Sequence, residues 1–336
     1  PKYVSLNDIS KLDFLRDKLH SNIQILSSKD LKNYLINSNS ELSLLAISGY
    51  KSLNNLEQII NNTNYLGLVS KEAIVSAGHI FVKKNYFNKT NIIPIDSEHF
   101  SIHEILKNNI LTNDINKIYL TASGGPFYKK KFTDLKKVSF NEAIKHPKWK
   151  MGYKNSIDSA TLVNKCLEIV EAHYLFNIPY NKIEAIIHPE AIVHSIIEKN
   201  NFVSHMNLFK NDMSIPLWNF LSQSTNKKNK ISNEKFFYKR YENFSFHKIN
   251  NEVFPVYKYF NKLDKEDPKN IIKFNIGNEF AVDLFKKNLI KYTDIYNIIK
   301  KVVSLNLYSE LNSIKDVIQY HEELEQQIFK KFQNFY

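Results

Sequence analysis

From residue 1 to about 97, short apolar runs alternate with stretches of helical period. The strand-like runs fall at 3–6, 23–26, 42–47, 65–69 and 91–95. Between them, 12–19, 31–36, 53–60 and 71–82 carry apolar residues three and four apart, the spacing of one helix face. Such βα alternation predicts a parallel sheet flanked by helices. A further strand, KIYLTA, runs into ASGGPF over 117–127, and 182–209 holds apolar strands around a turn at Asn200 and Asn201, a hairpin pattern. Residues 225–262 then turn polar and Lys/Asn-rich, as a linker does. The remainder reads as helices: 270–289, then 293–303 opened by Thr293, then a long helix from Ser313, with Asp316 at capping-box spacing.

The densest chemistry lies between His146 and Glu168. Asp158 and Ser159 are good N-cap residues, and behind them Val163, Cys166, Leu167, Val170 and Tyr174 form an apolar stripe. Asn164, Lys165 and Glu168 share the other side. Hydroxyl, amide and ammonium at a helix mouth suit a phosphate, although a capped helix after a surface loop has the same pattern. Ahead of it, His146, Pro147, Trp149, Met151 and Gly152 have no period and read as a loop able to close over a ligand.

Two other stretches add to this. Asp96 and Glu98, two apart in PIDSEH, put both carboxylates on one side of an extended backbone at a strand end, where α/β ligand sites form. They suit a hard divalent cation, or else make a solvated acidic turn; His99 beside them reads as structural. Ser123 stands before the adjacent glycines Gly124 and Gly125, where free N–H groups cradle an oxyanion or simply make a tight turn. His188 and His194 read as half-buried strand residues. No GxGxxG fingerprint is present, and only Gly49 follows a strand closely enough to approach a cofactor.

Composition narrows the classes. With 336 residues, 43% of them hydrophobic, the chain has enough material for two or three domains with real cores. The charge of +12 is almost all lysine, with Arg16 and Arg240 the only arginines. It is spread along the chain, unlike the clustered, Arg-rich surface of a nucleic-acid binder. Cys166 is the single cysteine; it excludes an internal disulfide and a cysteine-based zinc site, favours a reducing compartment and reads as core. No apolar run reaches membrane-span length, and no signal-peptide pattern opens the sequence.

Taken together and in order, GLVSKEAIVSAG, PIDSEH, ASGGPF, HPKWKMG, IDSATLVNKCLE and NIGNEFAV resemble the 1-deoxy-D-xylulose 5-phosphate reductoisomerases. That resemblance extends almost to the C-terminus. It implies reduction and rearrangement of a keto-sugar phosphate to 2-C-methyl-D-erythritol 4-phosphate, a step of non-mevalonate isoprenoid synthesis, with NADPH and Mg2+, Mn2+ or Co2+. By position it implies metal ligands Asp96, Glu98 and Glu168, with Lys71 and His146 also catalytic. Substrate contacts would come from Lys71, Ser97, Glu98, Ser123, His146, Ser159, Asn164, Lys165 and Glu168, and cofactor contacts from Ser70, Lys71, Glu72 and Gly152. Trp149 and Met151 match the family's closing flap.

The implied architecture is α/β: a partial Rossmann-like dinucleotide-binding domain at 1–96, an α+β catalytic domain at 97–230, a linker at 231–262 and a C-terminal helical domain at 263–336. The family's glycine-rich phosphate loop has no counterpart after Pro1, so an upstream βαβ unit of roughly 30 residues or more is expected. Ser70, Ala122 and Cys166 depart from the usual Asn, Gly and Gly. The implied partners are a small sugar phosphate and a second copy in a homodimer, with no nucleic acid and no membrane; the implied location is the bacterial cytoplasm, or a plastid stroma in a eukaryote. The alternatives are a non-reducing relic that binds sugar phosphate and metal, and a lysine-rich nucleic-acid binder.

Overall fold

The computed structural model describes the chain apart from residues 7, 109, 149–150, 225–242 and 336. Its N-terminal part is the expected βα alternation. Strand β1 (Tyr3–Ser5), helix α1 (Leu12–Lys18) and strand β2 (Gln24–Leu26) form one parallel pair. Helix α2 (Ser28–Asn37) starts where the Ser27 hydroxyl accepts from the Asp30 N–H, an ordinary N-cap, and leads into a three-stranded parallel sheet. That sheet has the order β3 (Ser40–Leu45), β4 (Thr63–Leu68), β5 (Asn91–Pro94). The expected helix at 53–60 is divided into a 3-10 turn, Tyr50–Asn55, and a short helix α3, Leu56–Asn61.

Helix α4 (Lys71–Lys83) follows β4, and α5 (Ser97–Leu106) follows β5. Leu68 pairs with Pro94 across the two strands. Both helices therefore begin at the same crest of the sheet, the usual place for an α/β ligand site.

The second sheet is mixed, in the order β7 (Ile183–Ile187), β6 (Ile115–Ala122), β8 (Val193–Lys199), β9 (Ser204–Leu208). Strands β8 and β9 are the antiparallel hairpin read around Asn200 and Asn201. His188 and His194 are fully buried rather than half-buried, and His188 lies just beyond β7.

Between the sheets runs the segment that departs most from expectation. Asp158 and Ser159 do not cap a helix. They belong to the last turns of α8 (Tyr153–Thr161), after short helices α6 (Phe132–Leu135) and α7 (Phe140–Ala143). Leu162, at φ +62°, breaks the chain before α9 (Val163–Phe176). Helical period alone cannot register one left-handed residue between two helices that share a similar pattern.

Helix α9 is buried on nearly every side, Cys166 included. Against it packs α4, and at Gly78 the approach is so close that an added Cβ would lie 2.2 Å from the Tyr174 ring; only glycine fits there.

The chain continues through α10 (Ser214–Leu221). Of the expected 231–262 linker, 231–242 lie outside the described residues. The rest is corrected: His247 bridges to Ile187, and α11 (Pro255–Lys262) buries Val256, Tyr257 and Phe260 in the core. Those three sit at i, i+1 and i+4, a pattern masked by the surrounding Lys and Asn. Helices α12 (Pro268–Lys286), α13 (Ile295–Val303) and α14 (Ile314–Lys331) complete the fold. Ser313 caps α14 as read, whereas Thr293 lies within a 3-10 turn, Tyr292–Asp294, ahead of α13. Among the described residues no helix is long and apolar enough to cross a membrane.

Candidate active site

Lys71, first residue of α4, and Asp96, just beyond β5, meet at the sheet crest in an ion pair. The extended stretch ends at Asp96: it N-caps α5, accepting from the Glu98 N–H at 3.2 Å, and Glu98 already stands in the first helical turn. The two carboxylates are thus brought to one side by a cap rather than by strand alternation.

Helix α9 supplies the opposing wall. Lys165, Glu168 and Glu171 recur every three residues, so they share a face, and that face is buried. Lys165 Nζ donates to Glu98 and, at 2.5 Å, to Glu168 Oε2; Asn164 Nδ2 donates to Glu168 Oε1. Lys71 Nζ lies 3.2 Å from Glu168 Oε1 and 3.7 Å from Glu171 Oε2. Oxygens of Asp96, Glu98 and Glu168 all fall within 4.8 Å of one another. Asp96 and Glu171 also converge on His99, whose Nε2 meets the Glu168 carbonyl at 2.9 Å. His99 therefore belongs to the cluster.

Burying ions costs several kcal/mol each unless they are compensated, and here compensation is incomplete. Burial and the neighbouring Glu98 charge push the Glu168 carboxyl up to about 7, against the pull of Lys165 and Lys71. Although burial opposes it, Lys71 and His99 hold Asp96 well below the carboxylate range. Burial likewise disfavours the two ammonium groups, yet Asp96 and Glu168 raise Lys71, and Glu168 and Glu98 raise Lys165. Hard carboxylate oxygens, one of them on a carboxyl raised by burial and by like charge, are a donor set that fits a divalent cation.

Of these groups, Lys71, Asp96, Glu98, Asn164, Lys165 and Glu168 line one side of a cavity of about 310 Å³, and His99 and Glu171 lie outside its lining. Its other side is made by Ser123 at the end of β6, Asn155 and Ser159 from α8, His146 and Met151. The Lys148 N–H donates to His146 Nδ1, so Nε2 carries the hydrogen and donates to Ser123 Oγ at 3.0 Å. Burial, then the nearby Lys165 charge, lower His146 to about 4; at neutral pH it is a neutral donor.

The Gly125 N–H also donates to Ser123 Oγ, at 3.2 Å. Gly125 has φ +59°, and a Cβ there would sit 3.0 Å from Ala160 Cα and 3.1 Å from the Ser159 oxygen. The glycine pair read in the sequence is thus a turn pressed against α8.

The site differs from the expected helix mouth. Ser159 lies near the C-terminal end of α8, and Lys165 points to the carboxylates. Lys71, Asp96, Ser97, Glu98, Ser123, His146, Ser159, Asn164, Lys165 and Glu168 are gathered around this cavity; Ser70, Glu72 and Gly152 do not line it. Ser70 starts α4 with its hydroxyl on Glu72 at 3.0 Å, and Gly152 starts α8. Trp149 lies outside the described residues. Asn155, Thr121, His194 and Met213 line the cavity without having been singled out for it. Glu171, also overlooked, could have been found from its three-residue spacing to Glu168.

Carboxylates, lysines and hydroxyls at the crest of a parallel sheet are the equipment of a metal-assisted enzyme for a small anionic substrate. The comparisons with known proteins give that class a family. Residues 92–176 match the 1-deoxy-D-xylulose 5-phosphate reductoisomerase C-terminal domain model, and 208–327 match the DXP reductoisomerase C-terminal domain model. The Pelagibacter ubique 1-deoxy-D-xylulose 5-phosphate reductoisomerase is 36% identical over 298 residues, 88% of this chain and 76% of that protein. Its Clostridium tetani counterpart is 35% identical over 99% of this chain and 87% of its own length.

Among solved structures, the Zymomonas mobilis reductoisomerase in complex with NADPH superposes with a TM-score of 0.84 at 28% identity, covering 97% of this chain and 84% of that one. A DOX-P reductoisomerase in complex with NADPH, fosmidomycin and magnesium gives 0.86 at 26% identity, covering 99% and 86%. This chain belongs to the 1-deoxy-D-xylulose 5-phosphate reductoisomerase family.

Proposed function

We infer that this protein converts 1-deoxy-D-xylulose 5-phosphate to 2-C-methyl-D-erythritol 4-phosphate with NADPH and a divalent cation, in isoprenoid synthesis. One observation carries the assignment of the site: Asp96, Glu98 and Glu168 converge within 4.8 Å in the cavity that also holds Ser123 and Ser159. In this reading the carboxylates hold the cation, which supplies a Lewis acid for the substrate's oxygens, while NADPH supplies the hydride.

The chain's own residues bind and orient. Ser123, neutral His146, Asn155, Ser159 and Asn164 receive the phosphate end by hydrogen bonds, and Lys165 bridges toward it from the carboxylates. Lys71 and Ser97 face the sugar hydroxyls. Fixing a short substrate at both ends holds it in reacting geometry. Ser70, Glu72 and Gly152, at the starts of α4 and α8, are assigned to the cofactor side of the crest. A homodimer and a cytoplasmic location belong to the same proposal, on the family resemblance alone. The division into a nucleotide-binding part at 1–96, a catalytic part at 97–230 and helices from 263 onward belongs to the same proposal.

The test is NADPH oxidation on adding 1-deoxy-D-xylulose 5-phosphate and Mn2+. Asp96→Asn should reduce turnover about a hundredfold or more, the several kcal/mol that a Lewis acid contributes. Undiminished turnover would remove the carboxylate site from the mechanism.

A further inference from the structure

Ser159 is the α8 residue whose place decides the far wall of the cavity, and both its neighbours in sequence are held from outside. Asp158 is 2% exposed. Its Oδ2 accepts from Lys154 on its own helix at 2.9 Å, and its Oδ1 accepts from Asn278 Nδ2 of α12 at 2.7 Å. On the other side, the Ala160 carbonyl accepts from the Tyr292 hydroxyl at 2.6 Å, at the turn before α13. The Tyr292 ring meanwhile stands edge-on to Phe127, 5.1 Å away, at the end of the turn that carries Ser123. That turn presses through Gly125 on Ser159 and Ala160. Asn278 and Tyr292 are both buried, and neither lines the cavity.

We propose that Asn278 and Tyr292 are positioning residues, through which the C-terminal helical layer sets Ser159 and the Ser123 turn for the phosphate of the substrate. This rests on the reading of the cavity as a sugar-phosphate site. The physical reason is local. Leu162 in the left-handed conformation ends α8 immediately after Ser159 and its two successors, so α9 does not extend it. A short helix in such a place is held by tertiary contacts rather than by its own propensity. Two hydrogen bonds flanking one residue fix both its height and its rotation, whereas one alone would leave a hinge.

A purely structural role for these bonds would lower the melting temperature without discriminating one cavity residue from another. Positioning through Ser159 makes a sharper statement. Tyr292→Phe keeps the ring and its packing and removes only the hydroxyl; Asn278→Ala leaves Asp158 paired with Lys154.

Calorimetric titration of the whole protein with 1-deoxy-D-xylulose 5-phosphate in Mn2+ gives the readout. Each variant should weaken binding about threefold to tenfold, the net weight of one hydrogen bond, with Mn2+ affinity unchanged. In a Ser159→Ala background the effect of Tyr292→Phe should shrink to the part that acts through the Ser123 turn, because the other residue it positions has lost its hydroxyl. Unchanged binding in both single variants, or a full additive loss in the Ser159→Ala background, overturns the proposal. A wild-type protein that does not bind the sugar phosphate at all fails differently, by removing the functional reading and this inference with it.

Discussion

Lys165 and Glu168 form an ion pair of 2.5 Å within one turn of a core helix, with the Glu168 side chain wholly inaccessible to solvent. The glutamate is nonetheless the carboxyl pushed up to about 7, because burial and the Glu98 charge outweigh the attraction of Lys165 and Lys71. An ion pair at the centre of a fold thus leaves one partner with its carboxyl raised well above the usual carboxylate range. That is poor design for stability and good design for a site that gathers anionic oxygens around a cation.

Glu168→Gln tests it. A carboxyl whose folded pKa exceeds its unfolded value of 4.5 binds more protons when folded. Its contribution to stability is therefore present at low pH and lost as pH rises from about 4.5 through about 7. In metal-free buffer the wild type should lose roughly 1 to 3 kcal/mol relative to Glu168→Gln across that window. Mn2+ should raise the melting temperature of the wild type and much less that of the variant. Equal destabilisation of the variant in chelator and in Mn2+ would show Glu168 to be a structural partner only.

Lys165→Ala separates attraction for substrate from attraction for metal. Losing a charge-assisted contact should raise KM for the sugar phosphate about ten- to a hundredfold, from roughly 1.5 to 3 kcal/mol. Mn2+ binding should be retained or tightened, since the substitution removes a cation that competes for Glu98 and Glu168. Weaker Mn2+ binding together with an unchanged KM would place Lys165 outside the substrate's reach.

His146 is expected to stay neutral through the working range. Burial and Lys165 hold its ring at about 4, so in NMR spectra the resonances lost in His146→Gln should show no titration between pH 8 and pH 5. The hydrogen bond from Nε2 to Ser123 then persists throughout. A midpoint near 6.5 would mean that the ring is solvated and not a fixed donor.

Much of this protein was legible in its residues. The spacing of apolar runs placed every strand of the first 97 residues, because strand period and helix period differ and each is imposed locally by which face is buried. The motifs around Asp96, Ser123 and Lys165 marked out nearly all of the cavity's polar groups. Linear spacing could not supply direction. Asp96 and Glu98 converge through a helix cap, Ser159 lies in the last turn of a helix that its spacing predicts it to open, and Val256, Tyr257 and Phe260 turn part of a polar linker into core.

Residues far apart in sequence decided the chemistry. Glu171 reaches His99, three residues from Asp96 on α5, only because α9 packs against the crest of the first sheet. Asn278 and Tyr292 reach α8 only because the C-terminal helices pack behind it. Secondary structure follows from patterns a few residues long. Which charges are buried together, and hence which carboxyl rises toward neutrality, depends on packing between elements that no local pattern encodes.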